Sequence, residues 1–329
     1  MAKLLPLLAA FLSLALLLPA PPARAKEAPA YIALGDSLAF GVGASDPATK
    51  GYVGLTQDAL ARGDRYNQRG LELLNLAFPG ATSADLLLPG GQVDRAADEI
   101  SERLEDDSSA DDNVEIITLN VGGNDFLSLG AEDSPCLDDP LSAECEELYL
   151  GMLGDLEDNL IHTLKRLDQA APAADIIVMD LYSPLSGRGG PADIIASFAI
   201  EGLNAATERA VVEADVGAKM VRVYPVFRGH APDLVSDDFV HPNDEGHALM
   251  AELVLATIEG REPELPEGYE APVAVEEAIE APLGRGGLLP VPREDEGDSN
   301  VPLLLAIAIP AGLLGLAAIA GVFVTSRGR

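Results

Sequence analysis

Strand-like and helix-like patterns alternate five times along the middle of this chain. The short apolar runs are Tyr31–Leu34, Leu71–Ala77, Val114–Asn120, Asp175–Leu181 and Met220–Val226. The helical patterns that follow them are Val53–Ala61, Ala96–Leu104, Leu148–Asp168, Asp193–Ala214 and Glu245–Ile258. Strands that alternate with helices form a parallel sheet covered by helices. We therefore predict an α/β fold, a three-layer α/β/α sandwich with a five-stranded parallel sheet.

Four candidate site residues fall near the predicted carboxyl ends of strands. Ser37 lies in the tetrapeptide Gly35-Asp36-Ser37-Leu38 after the first run, Gly80 follows the second, and Asn124 follows the third. His241 lies in a loop after the fifth run. Ligands of parallel sheets bind outside the carboxyl ends of the strands, so we expect these residues to meet at one edge.

Ser37 alone is open to two interpretations. A serine on the turn from a strand into a helix is exposed and close to helix amides, which stabilise an anion beside the hydroxyl. This placement suits a nucleophile. However, Asp-Ser after a strand is also ordinary helix-capping chemistry.

His241 is the strongest candidate for a base. Asp238 precedes it by three residues, and Pro242 restricts it to an extended conformation. The Asp238 carboxylate can therefore accept Nδ1–H, which leaves Nε2 for Ser37. We expect His247 to have a structural role and His162 to lie on the solvent-exposed side of a helix. Nothing in the sequence indicates that His230 acts as a base.

Together these blocks resemble the GDSL, or SGNH, family of serine hydrolases over roughly residues 30 to 260. The family is named for a Ser, a Gly, an Asn and a His, here Ser37, Gly80, Asn124 and His241. The resemblance implies a flavodoxin-like fold and catalysis by Ser37, Asp238 and His241. It assigns the oxyanion hole to the backbone amides of Ser37 and Gly80 and to the Asn124 side chain. It implies neither a metal nor an organic cofactor.

Two other chemistries fit the residues poorly. A metallophosphatase could use Asp36, Asn124, Asp125 and His241, but four scattered histidines are a poor supply of metal ligands. Gly41-Val42-Gly43-Ala44 hints at dinucleotide binding but lacks the third glycine. Asp36 and Asp125 are expected to bond the loop backbone.

Cys136 and Cys145 are the only cysteines. In an exported protein such a pair forms a disulfide. Because the bracketed segment follows Asn124, we expect it to form one wall of the substrate cleft.

The termini indicate export and anchoring. Residues 1–25 have a basic start, an apolar stretch and an Ala-x-Ala end, which predicts a signal peptide. The hydrolase domain is assigned to residues 26–261 and a disordered acidic Pro-rich stalk to 262–300. Residues 301–325 are uncharged and long enough for a transmembrane helix, and 326–329 form a short basic cytoplasmic tail. A clipped sorting signal is the alternative for this C-terminal segment.

The net charge of the chain limits the classes of molecule that it can bind. The chain has 54 acidic and 21 basic residues and a net charge of -33, which disfavours nucleic acid. We expect a serine esterase or lipase on the extracellular face of the cell membrane, acting on carboxylic esters such as lipids or lysophospholipids. The alternatives are an acetyl esterase of cell-surface polysaccharide and a catalytically silent module that binds glycan or lipid.

Overall fold

The computed structural model describes residues 28–105, 113–131, 134–139 and 142–269. The predicted signal peptide, the apolar segment 301–325 and the basic tail lie outside these residues. Within the described ranges, no helix combines the length and the apolar character needed to cross a membrane.

Five strands form one sheet in the order β2-β1-β3-β4-β5, and every neighbouring pair is parallel. The strands are β1 (Ala30–Gly35), β2 (Glu72–Asn75), β3 (Val114–Asn120), β4 (Asp175–Met179) and β5 (Lys219–Val221). The α/β class and the five-stranded parallel sheet are therefore confirmed. The order reverses between β1 and β3, and such a switch point is where open sheets bind ligands.

The fifth strand is shorter than its apolar run. After Val221 the chain turns, because the Asp180 carboxylate accepts hydrogen bonds from the backbone N–H groups of Val223 and Tyr224. Tyr224–Phe227 then forms a short helix. The strand predicted over residues 224–226 is wrong for this reason.

Helices fill the connections between the strands. The described residues include α1 (Ser37–Phe40), α2 (Pro47–Lys50), α3 (Tyr52–Arg62), α4 (Ser83–Leu86), α5 (Gln92–Glu105), α6 (Gly123–Ser128), α7 (Pro135–Asp138), α8 (Ala143–Ala170), α9 (Pro191–Ala214), α10 (Tyr224–Phe227), α11 (Ala231–Leu234) and α12 (Asp244–Glu259). Helices α3 and α12 pack together, and α12 contacts β4 and β5. Helices α5, α8 and α9 form a second group, which contacts the sheet at β1 and β5.

Strand β1 carries the candidate nucleophile out of the core. Its residues Ala30 to Leu34 are fully buried between β2 and β3. Gly35 ends the strand with φ +141°, and a Cβ there would lie 2.1 Å from the Asn120 carbonyl oxygen, so only glycine fits. Gln92 accepts from Gly35 N–H at 2.7 Å and donates to its carbonyl at 2.8 Å. The backbone two residues before Ser37 is thereby fixed.

The described residues continue past the predicted domain boundary at 261. Leu265 and Tyr269 pack against the hydrophobic core. The Tyr269 ring stacks on His230 with centroids 4.0 Å apart. The first part of the segment assigned to the stalk, up to Tyr269, therefore lies against the domain.

Candidate active site

Three side chains that are far apart in the sequence form a chain of hydrogen bonds. Ser37, the first residue of α1, places Oγ 2.9 Å from His241 Nε2. His241 Nδ1 lies 2.6 Å from Asp238 Oδ2. Ser37 and His241 are buried. The structure thus brings together the three residues that the sequence singled out.

The loop before α12 holds Asp238 in its place. Its Oδ1 accepts from the backbone N–H groups of Val240 and His241, both at 2.9 Å, and from Ser236 Oγ at 2.8 Å. Burial raises the pKa of Asp238, but these bonds and the bond from the His241 ring outweigh it and hold the pKa below its ordinary value. Asp238 is therefore a carboxylate at neutral pH and accepts Nδ1–H. Phe239, at the turn of this loop, takes a left-handed φ of +62°.

Two backbone N–H groups at the site, one in α1 and one in the loop after β2, have no acceptor in the described part of the chain. They belong to Ser37, whose N–H is an orphan of the first helical turn, and to Gly80. Gly80 has φ +85° and no atom within 4 Å of an added Cβ, so its backbone faces open space. These groups are available to a ligand.

Asn124 connects the two loops that carry those N–H groups. Its Nδ2 donates to the Ala81 carbonyl at 3.0 Å and to Asp36 Oδ2 at 3.2 Å. Asp36 Oδ1 in turn accepts from Leu38 N–H at 3.0 Å. Burial, with a smaller contribution from the nearby Asp125, raises the pKa of Asp36 to about 7 against the hydrogen bond from Leu38.

Asp125 fixes the Gly80 loop from the same helix, α6. Its carboxylate accepts from the Ser83 N–H at 2.9 Å and from Ser83 Oγ at 2.5 Å. Asn159 of α8 donates to Ser83 Oγ at 3.0 Å. Sequence reasoning missed Ser83 and Asn159. The only local signal is the capping box of Thr82 and Asp85, which predicts a helix start and nothing about the site.

The other three histidines have different surroundings. His162 is exposed on α8. His247 is fully buried, accepts from Tyr52 N–H through Nδ1 and donates to the Val42 carbonyl through Nε2. Burial lowers its pKa, so the ring is neutral. His230 stacks on Tyr269. His241 is the histidine that meets Ser37.

Cys136 and Cys145 form a disulfide, as predicted. It joins α7 to the first turn of α8, and Ser142 Oγ caps α8 by accepting from Cys145 N–H. The segment between the cysteines is thus partly helical. Over the ranges that the structure covers, no group of three His, Cys, Asp or Glu side chains could hold a metal ion.

Comparison with known proteins gives one consistent picture. Residues 33–249 match the model of the GDSL-like lipase/acylhydrolase family. The spore germination lipase LipC of Bacillus licheniformis is 26% identical over 238 residues, which is 70% of this chain and 97% of that protein. The crystal structure of the lipase Lip_vut3 from a goat rumen metagenome is similar in fold, with a TM-score of 0.52 and 22% identity. That match covers 70% of this chain and 97% of the lipase.

Proposed function

This chain belongs to the GDSL-like lipase/acylhydrolase family, and we propose that it hydrolyses carboxylic esters through an acyl-enzyme on Ser37. The observation that carries this proposal is the chain of hydrogen bonds from Ser37 Oγ through His241 to Asp238. It supplies a nucleophile, a base and an orienting group, which acyl transfer requires.

Acylation begins at Ser37. Its Oγ attacks the ester carbonyl carbon while His241 Nε2 takes the hydroxyl proton. Asp238 stabilises the imidazolium and keeps the Nδ1–H tautomer of the neutral ring. His241 then gives the proton to the alkoxide oxygen of the leaving alcohol, and the acyl group stays on Ser37. Water repeats the sequence with His241 as base and releases the acid.

The developing oxyanion is met by the N–H groups of Ser37 and Gly80, and by Asn124 Nδ2 once substrate draws one of its two hydrogens away from Asp36 Oδ2 or the Ala81 carbonyl. Support comes from the two N–H groups without an acceptor and from the position of the Asn124 amide between their loops. One donor of this kind is typically worth about 3 kcal/mol of transition-state stabilisation. The bonds from Asp36 and Asp125 place these donors before substrate binds.

We assign the substrate to acyl esters of lipid character. Phe78, two residues before Gly80, and Phe239, between Asp238 and His241, are about half exposed. Apolar side chains beside a few polar groups are typical of a site for an acyl chain. Leu38, in contrast, is buried in the core. An acetyl ester would leave both phenylalanines without a role in binding.

We also propose that the enzyme is exported and held at the outer face of the membrane by residues 301–325. The Cys136–Cys145 disulfide supports export, because such bonds persist in oxidising compartments. Cell fractionation followed by protease treatment of intact cells tests this. A domain that is protected in intact cells contradicts it.

The activity itself is tested with the purified full chain and its Ser37→Ala variant. Hydrolysis of p-nitrophenyl acetate, butyrate and palmitate is measured, and a fluorophosphonate probe is mapped by mass spectrometry. We expect turnover that disappears in Ser37→Ala, labelling of Ser37, and a preference for the longer acyl groups. A preference for acetate favours the acetyl esterase. No turnover and no labelling of folded protein favours the silent binding module.

A further inference from the structure

Exposed apolar side chains are concentrated at the end of the sheet where Ser37 lies. Ten large apolar side chains are exposed in the described residues, and eight belong to segments at the carboxyl ends of the strands. Four of these eight lie in loops or short turns around the site, namely Phe40, Phe78, Leu88 and Phe239. The remaining two of the ten, Leu104 and Val212, lie near the C-terminal ends of α5 and α9.

The other four lie where α8 and α9 extend beyond the sheet. Asn159 of α8 contacts Ser83 at the level of the site, and Leu150 precedes it by nine residues, about 14 Å along a helix. Asn204 of α9 bonds the backbone of Leu181 just after β4, and Ile194 precedes it by ten residues, about 15 Å. The N-terminal parts of both helices therefore stand above the edge of the sheet.

The two projecting helix ends contact each other and remain apolar on the outside. Tyr149 Oη donates to the Ala199 carbonyl at 3.0 Å, and the disulfide fastens the first turn of α8. Leu150, Ile194 and Phe198 are between 43% and 67% exposed. Leu148, two residues before Leu150, is 44% exposed on the opposite side of α8. Exposed apolar patches of this kind mark interaction surfaces.

The charged residues near these side chains indicate which kind of lipid surface the helix ends can bind. No lysine or arginine occurs among the described residues of 134–164 or in 191–208, whereas Glu144, Glu146 and Glu147 flank Leu148. Arg188, whose guanidinium lies 4.7 Å from the ring centroid of Phe239, is a cation beside the loops around Ser37. A surface with this charge is repelled by anionic lipid. It fits a neutral lipid surface, into which apolar side chains insert without pairing of charges.

We infer that this apolar face, formed by the projecting ends of α8 and α9 and by the loops around Ser37, docks on the neutral surface of aggregated ester substrate. The inference rests on the proposed function, because it is continuity with the site of ester cleavage that favours lipid over a protein partner. Docking places the phenylalanines beside Gly80 and His241 against the lipid from which the substrate is drawn.

The test compares one substrate in two physical states. The full chain hydrolyses tributyrin dissolved below its solubility limit and then as an emulsion. The double variant Leu150→Ser, Phe198→Ser removes one exposed apolar side chain from each projecting helix end, and neither residue belongs to the proposed catalytic machinery. Leu104→Ser, Val212→Ser is the matched control, since these side chains are also large, apolar and at least as exposed but lie near the C-terminal ends of α5 and α9. Residues 301–325 are common to all variants.

We expect the wild-type rate to rise about tenfold when droplets form, because burial of two large apolar side chains is worth at least that factor. The double variant keeps the dissolved-substrate rate within about twofold and loses the rise, whereas the control keeps both. Droplets coated with phosphatidylglycerol are hydrolysed more slowly than droplets coated with phosphatidylcholine. A double variant with a normal rise overturns the inference in favour of a protein partner, as does a preference for the anionic coat. Absence of tributyrin hydrolysis in both physical states refutes the proposed function instead.

Discussion

Replacing Asp238 by asparagine tests the proposed triad at the hydrogen bond between Asp238 Oδ2 and His241 Nδ1. In the native loop Oδ1 faces three donors, the N–H groups of Val240 and His241 and the Ser236 hydroxyl. An asparagine must keep its carbonyl oxygen on these donors, because an NH2 group there would face three hydrogens. Its Nδ2 then points at His241 Nδ1. The imidazole is forced to accept at Nδ1 and to carry its proton on Nε2, where it cannot take the proton of Ser37.

The magnitude follows from this wrong tautomer. The equivalent change in a Ser-His-Asp triad lowers kcat about 10⁴-fold, which corresponds to about 5 kcal/mol of activation free energy. The bonds to Oδ1 are retained in Asp238→Asn, so we expect the loop, KM and the unfolding temperature to change little. The loss falls on kcat because the proton transfer occurs only during reaction.

The assay is steady-state hydrolysis of p-nitrophenyl butyrate by wild type and Asp238→Asn. Asp237→Asn is the matched control, since Asp237 is the adjacent exposed carboxylate, whereas the bond to His241 Nδ1 comes from Asp238. We expect the control to stay within twofold of wild type. An Asp238→Asn enzyme that keeps more than a tenth of the wild-type kcat would refute the tautomer argument and the role of Asp238.

Three further predictions concern the oxyanion donor, the disulfide and a buried carboxyl group. Asn124→Ala should lower kcat by about 10² to 10³-fold with a smaller change in KM, as measured on the same ester; an unchanged kcat would remove Asn124 from the oxyanion hole. The double variant Cys136→Ser, Cys145→Ser should lose about 3 kcal/mol of unfolding free energy in urea titrations, the value for closing a short loop; reduction of wild type should match it. Burial raises the pKa of Asp180 to about 7 from an ordinary 3.8. The folded state therefore binds more protons than the unfolded state between these values, and stability falls as pH rises from 4 to 7. In Asp180→Asn the loss of unfolding free energy between pH 4 and pH 7 should be smaller by about 4 kcal/mol. An identical pH dependence of the unfolding free energy in wild type and variant would contradict the raised pKa of Asp180.

The site was accessible from sequence because its parts are local. Asp238 and His241 share one short loop, and Ser37 directly follows a buried strand, so spacing alone relates each side chain to a backbone feature. Of the groups that hold the oxyanion donors, Asp36 and Asp125 were expected to bond the backbone, as they do, whereas Ser83 and Asn159 were not accessible. Ser83 meets Asn159 across 76 residues, and no pattern within either segment signals that contact.

In the fold, too, features set by local sequence were predictable, whereas features set by contacts between distant residues were not. Apolar runs located the strands, but the end of β5 depends on Asp180, 43 residues away from Val223. The helix predicted from Leu148 starts at Ala143 instead, although Ser142 followed by Glu144 and Glu146 is an N-cap with acids in the first turn and could have indicated the earlier start. The packing of Tyr269 on His230 was not predictable, because the charged, Pro-rich sequence around it is typical of a disordered linker.

The separation of Ser37 from His241 by 204 residues also has a consequence for biosynthesis. Chains are synthesised at about 5–20 residues per second, so the nucleophile is made roughly 10 to 40 seconds before its base. Throughout that interval the nascent polypeptide carries a serine with nothing to deprotonate it. The triad can therefore form only after His241 has been synthesised, so the order of its members along the chain keeps the growing polypeptide inactive until then.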